Sequence, residues 1–546
     1  MRKLNNLILL IFAISLFLVA FISIKYENRL SIDSPNVELR SKTDTPIFID
    51  GNGGFSGYPG YGNKTHPYLI ENYVINASGF DKSGIEIQNT DAHFVIRNCT
   101  VTNHPNSIYY GVQLSNVTNG QIMNNTVSYY YGGIYLLGSD NNTISNNTVS
   151  KSSQKGIGVS SSINNTVSNN VIRDAGKFAG IYISQAENNY FRNNTLYETG
   201  IYLRGLTIDQ CSQEITPDNT VNDRPIHYYR HQKGITIPGD VGQLILVNCT
   251  SLSISNCNLS GGSVGLTLLF SNNITLTNNT ANNNFYGFFI SQSDNIKLLN
   301  NTANQNEQDG IASYRSCYST ITDNTLTYNG VYGMMLWYSS NHSTISRNDA
   351  SHNEKYGICL QTSMNITVSH NTADYNYEKG IWVYKTSMVL LLNNSFNHHQ
   401  YDGISVGSSI DVNLTLNTAN DNQIGLFLSR TNYSTFIHNT LNGNDWYGLL
   451  VHYYSSHNNI SDNTINDNYH GIYIIEESSY NTIKGNILYG NIDCICEEEG
   501  CIGNVIYDND CQNRTEIPGF IWTLVILGLF MVLSLLDGLR QKQTCF

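Results

Sequence analysis

The chain has 546 residues and a formal net charge of −13, yet only 13% of its residues are charged, which excludes a polyacidic tail protein. Twenty-nine Lys and Arg without a basic block exclude a nucleic-acid partner. Asparagine, serine, threonine and 37 tyrosines carry the polarity instead, as expected of a surface built from stacked uncharged polar groups.

Arg2 and Lys3 precede an apolar run from Leu7 to Ile24, expected as a signal peptide or a retained signal anchor over 1–24. A linker over 25–44 follows, and then the stretch PIFIDGNGGFSGYPGYGNKTHPYLIENYVI from Pro46, which reads as a first, irregular coil.

From there a glycine followed by alternating apolar residues recurs at 111, 133, 156 and 180, and again at 265, 287, 310, 333, 357, 380, 403, 425, 448 and 471. GIYL at 133, GICL at 357 and GLLV at 448 are short β patterns, and a T-I-x-x-N strand comes later in each repeat. Two asparagine columns share the period. One runs from Asn279 through Asn324 and Asn348 to Asn486; the other runs from Asn284 to Asn491 with His399 in place of one asparagine. A step of about 23 residues without helical periodicity predicts an all-β parallel β-helix, one coil per repeat and like residues stacked about 4.8 Å apart. Crossover chirality predicts the right-handed form. About 20 such coils give a rod on the order of 95 Å. Stacked asparagine amides then donate to one neighbouring coil and accept from the other, satisfying polar groups at the bends.

The period lapses between the two glycine series. N-terminal coils are therefore expected over 45–205, an irregular insertion over 206–245 with re-entry at Gln243-Leu-Ile-Leu-Val, and regular coils over 246–490. Cys249 and Cys257 within this region read as buried thiols or a bridge. A cysteine-rich cap over 491–516 covers the open sheet edges. Its Cys494, Cys496, Cys501 and Cys511 are expected to form disulfides of open pairing in an oxidising compartment. Zinc is the rival, although C-x-C-x4-C with Glu497 to Glu499 between is not a usual ribbon spacing. An uncharged stretch over 517–537 then reads as a transmembrane helix, with a cytoplasmic tail over 538–546. The expected location is the cell membrane, single- or double-pass, with the β-helix outside the cytoplasm. About twenty N-x-S/T sequons, among them Asn141 and Asn341, follow from asparagine columns that precede threonine, and a fraction is open to glycosylation in an archaeal or eukaryotic host.

The opening stretch, HFVIRNCTV at His93 to Val101, and the insertion NTVNDRPIHYY…GQLILVNCT resemble the NosD-type β-helix family. Its members are described as periplasmic copper-binding proteins or as carbohydrate-binding and sugar-hydrolysis domains with the pectin-lyase-like right-handed fold. The resemblance spans Pro46 to Asn491 and implies fold and an extracytoplasmic setting, not an activity.

Three chemistries are open. A polysaccharide lyase, hydrolase or C5-epimerase needs clustered carboxylates, and a pectate-lyase type needs calcium ligands. Asn89-Thr90-Asp91 matches one polygalacturonase motif and the others are absent. The column before the first asparagine ladder places Asp323, Arg347 and His370 on successive coils, and His399, His398 and Asp402 lie close by. These residues form the expected polar patch, with Asp323, Arg347, His370, His399 and Asp402 as catalytic candidates. An accessory role in copper-enzyme maturation would use imidazole ligands, for which His227, His231, His398 and His399 are the candidates. No cofactor is predicted; copper and calcium are the ions the resemblance and chemistry allow. The third is carbohydrate binding by the residue before each repeat glycine, where Tyr110, Tyr286, Tyr332, Tyr356 and Tyr447 would present rings to a polysaccharide or surface glycan. A membrane-anchored binding or structural protein fits the composition best.

Overall fold

The computed structural model describes residues 43–103 and 106–512. Both hydrophobic ends, expected as a signal and a transmembrane helix, lie outside them. Among the described residues no helix is long and apolar enough to cross a membrane.

The chain winds as a parallel β-helix. Thr126, Thr148 and Val171 pair in register on successive coils, as do Ile358, Ile381 and Ile404, so the sequence period is the coil. Each repeat glycine sits where a β-carbon would meet the next coil. One added at Gly357 would lie 2.6 Å from the β-carbon of Ala373 and 2.7 Å from the Ala350 carbonyl oxygen. The alternate apolar residues after the glycine, such as Ile358 and Leu360, are fully buried.

The asparagine columns behave as expected. Asn324 donates through Nδ2 to Asn348 Oδ1 at 2.9 Å, and its backbone N–H donates to the same oxygen at 2.9 Å. The Nδ2 also reaches back to the Leu298 carbonyl at 3.0 Å. One amide thus satisfies three groups at a corner from which water is excluded. A serine ladder, Ser271 through Ser293, Ser316, Ser340 and Ser363, does the same work at a second corner.

The expectation of one continuous rod is corrected. A first stack of seven coils runs to Ile201–Arg204, and a second of twelve begins at Gln243–Val247. Between them, Thr220–Val221 pairs antiparallel with the start of Arg224–Arg230, which in turn pairs parallel with Gln243–Val247. The chain between the stacks first completes a coil, with Glu214–Ile215 and Thr220–Val221 paired in parallel to the coil before, and then passes through this hairpin into the sheet that begins at Gln243–Val247. The second stack does not continue the axis of the first core. Leu244 and Leu246 enter the second core, whereas Ile245 and Val247 enter the first. Val264, Leu269, Phe289 and Ala312, on the outer face of the same sheet, also belong to the first core. The first coils of the second stack are buried on both faces of this sheet because the end of the first stack packs against them.

Candidate functional site

Of the patch expected around Asp323, the structure brings Asp323 and Arg347 together and leaves His370, His399 and Asp402 apart from them. Every member of that column takes a left-handed backbone, φ 56° at Asp323, 52° at Arg347, 57° at His370 and 58° at Leu416. This is the corner that turns each coil toward its ladder asparagine, so it tolerates mixed side chains pointing to solvent. Arg347 holds Asp323 through two bonds of 2.8 and 2.9 Å, and this keeps the Asp323 carboxyl below its ordinary range. Among the described residues His370 makes no hydrogen bond or ion pair with Arg347.

His399 is a ladder member. Its backbone N–H donates to Asn422 Oδ1, and its Nδ1 lies 2.9 Å from the Asn376 carbonyl. The ring is buried with Nε2 unpartnered, and burial pushes its pKa down to about 4. Asp402 stands on a different sheet, paired with Lys379. His398 stacks on Tyr375 and faces Asp421 at 3.7 Å. The five residues proposed as one site occupy three separate columns.

The other histidine pair does not converge either. His227 stacks on Tyr229, and His231 contacts the Asn248 amide at 2.7 Å. Of the four cap cysteines, Cys494 and Cys511 are bonded to each other, while Cys496 and Cys501 are free. Cys249 and Cys257 are buried thiols.

The tyrosine column lies on the outer face of the first sheet, but it is interrupted. Tyr332 and Tyr356 stack at 5.1 Å, Tyr110 stacks on Tyr135 at 4.4 Å, and Tyr447 stacks on His470 at 5.4 Å. Lys379, Asp402 and Ile424 occupy the intervening registers.

Tyr286 leads to the concave site that the column reading missed. Where the two stacks meet, a cavity of about 380 Å³ opens between the last strand of the first, Ile201–Arg204, and the outer face of the second. Tyr202, Tyr286, Phe289, Tyr314 and Trp337 give it an aromatic wall, with Arg204 and Arg315 also lining it. Both arginines are solvent-exposed, and among the described residues neither guanidinium forms an ion pair. The Trp337 Nε1–H is buried with no acceptor, an arrangement that native structures avoid unless a ligand or water completes it. Beneath the wall Asp309 is 2% exposed; burial pushes its carboxyl up to about 8, and it accepts the Tyr332 N–H at 3.2 Å. Burial thus favours its neutral form, which does not oppose an anion. No carboxylate is among the residues lining the cavity.

The right handed beta helix region family matches residues 47–240 and 243–396. The chain belongs to that family. The periplasmic copper-binding protein (NosD) family matches residues 339–458 and 443–518, a third of the chain at its C-terminal side. No curated protein matches in sequence. Among solved structures, the periplasmic alginate epimerase AlgG is 15% identical with a TM-score of 0.30, covering 65% of this chain and 77% of its own. The Azotobacter vinelandii mannuronan C-5 epimerase AlgE4 A-module is 14% identical with a TM-score of 0.31, covering 80% and 91%. The catalytic domain of a GH87 alpha-1,3-glucanase is 13% identical with a TM-score of 0.23, covering 65% and 58%. At such scores these likenesses carry no argument about chemistry.

Proposed function

We propose that this protein is an extracytoplasmic, membrane-anchored β-helix that binds an acidic polysaccharide in the cavity between its two stacks. The single observation that carries this reading is the aromatic wall flanked by two unpaired guanidinium groups. Aromatic rings accept the apolar faces of sugars, and guanidinium forks suit carboxylate or sulfate. Glycosidic cleavage would need an acid and a base flanking the bond, and the lining residues supply neither. The anchoring follows from the two apolar ends of the sequence.

A glycan array with the purified ectodomain, assayed also for product release, tests the reading. Binding of uronate or sulfated chains above neutral ones is expected, falling at least tenfold in Trp337→Ala and in the Arg204→Ala/Arg315→Ala pair. Binding to none, or binding indifferent to all three residues, would discard it.

A further inference from the structure

At the far end of the second stack, the register of the tyrosine column passes from Tyr447 to His470 and then to Asp493, one coil apart. Cys496 lies three residues beyond Asp493 on the same strand, Asp493–Glu497. His470 Nδ1 is 3.1 Å from Asp493 Oδ2 and 3.8 Å from Cys496 Sγ, and all three donor atoms lie within 4.8 Å of one another. Among the described residues no other group of His, Cys, Asp and Glu brings three such atoms together.

The separations match those a metal ion imposes. Two ligands held about 2.0–2.1 Å from a tetrahedral ion stand roughly 3.3 Å apart, and a nitrogen at about 2.05 Å and a sulfur at about 2.3 Å stand roughly 3.6 Å apart. The three side chains are part-buried. The imidazole is also held in place: Tyr447 stacks on it at 5.4 Å and Tyr473 packs at 4.8 Å. The strand carrying Asp493 and Cys496 is tied down by the Cys494–Cys511 bond. Such outer support orients ligands before the ion arrives.

We infer that His470, Asp493 and Cys496 form a binding site for a borderline divalent transition ion of the zinc class, with imidazole nitrogen, carboxylate oxygen and thiolate sulfur as three ligands. This places a metal at the end of the second stack away from the junction cavity, within the stretch matched by the copper-binding family, although that family name specifies none of these residues. The donor set suits Zn(II) and differs from the thioether-rich sites that hold Cu(I). Binding releases the thiol proton to solvent and involves no change of oxidation state.

The test uses the full, untagged chain, with Zn(II) and Co(II) salts as probes. Equilibrium dialysis is expected to find one Zn(II) per chain, and Co(II) to give a sulfur-to-cobalt charge-transfer band. The Cys496→Ser variant should abolish that band, and Asp493→Asn should weaken Zn(II) binding at least tenfold. Cys501→Ser should change neither. Circular dichroism establishes that each variant remains β-helical, and the protection of Cys496 from alkylation by Zn(II) gives a readout in the unmodified chain. Zn(II) uptake unchanged in Cys496→Ser, a Co(II) spectrum without the sulfur band, or a native Cys496–Cys501 disulfide would each overturn the inference.

Discussion

The two stacks share a repeat length and differ in how they turn their third corner. In the first, the ladder Asn125, Asn147, Asn170, Asn194 leads into true strands, Thr126–Ser128, Thr148–Ser150 and Val171–Arg173. Five residues after each ladder asparagine stand Tyr130, Ser152, Ala175 and Thr199, which form no ladder of their own. In the second stack that position is asparagine or His399, and a second ladder forms: Asn329 to Asn353 and Asn353 to Asn376, each at 3.0 Å. The third side then shrinks to single bridges such as Thr325–Asp349, because the chain bends immediately after one paired residue. A side-chain amide at one register thus converts a three-sheet coil into a two-sheet coil at constant length. Strand length on the second sheet follows the same logic. Ile274, Val389 and Val412 extend their strands to six residues, whereas Ser319 and Asn458 precede strands of three.

The largest expected effect comes from cutting a ladder on one side only. Asn348→Ala leaves the Asn324 backbone N–H without its acceptor and takes one partner each from the Asn324 Nδ2, which keeps the Leu298 carbonyl, and from the Ile321 carbonyl, costing about 3 kcal/mol. Hydrogen exchange should rise in the second stack and stay unchanged in coils 110–200, while Asn147→Ala should do the reverse. Loss of protection throughout in both variants would show that the two cores unfold as one.

A smaller effect is carried by Asp309, which has no counterpart in the first stack. Its folded pKa lies above the unfolded one, so its contribution is complete below about pH 4 and is lost as pH rises through about 8. Asp309→Asn should flatten the fall in stability that the parent chain shows as pH rises from about 4 to about 8, so that the variant gains on the parent chain toward alkaline pH, read from urea midpoints. An unchanged alkaline limb would mean that the carboxyl is hydrated.

The smallest concerns the interrupted ladder. His399 has a depressed pKa, so its contribution is present above about 6.5 and is lost as pH falls through about 4. His399→Asn should restore the column from Asn376 to Asn422, raise stability by about 1 kcal/mol at pH 7, and weaken the acid limb. Destabilisation instead would give His399 a packing role that asparagine cannot fill.

The coil and both asparagine ladders were legible in sequence because like residues recur at the spacing at which they touch. The junction was not, since Tyr202 and Arg204 meet Tyr314 and Trp337 across more than a hundred residues of irregular spacing. Its signal was present in Gln243 to Val247 and Val264 to Leu269, runs without polar alternation that mark a sheet covered on both faces. The serine ladder was passed over because serine reads as generic loop chemistry. Adjacency along the corner column brings Arg347 to Asp323 but does not bring His399 or Asp402 to them, because left-handed corners aim side chains outward and those two residues belong to other columns. Reading the tyrosine column for its rings alone likewise hid His470 and Asp493.

The asparagine ladders also have a direction. The amide-to-amide bond runs one way, from Nδ2 to the Oδ1 of the C-terminal neighbour, as from Asn439 to Asn463 and from Asn463 to Asn486, while the same Nδ2 also reaches back to a backbone carbonyl of the preceding coil. A duplicated coil spliced in at any point would therefore find both its partners waiting, so such molecules can lengthen or shorten one winding at a time without redesign. Two copies could fuse only tip to tail, because like ends would oppose donor to donor or acceptor to acceptor.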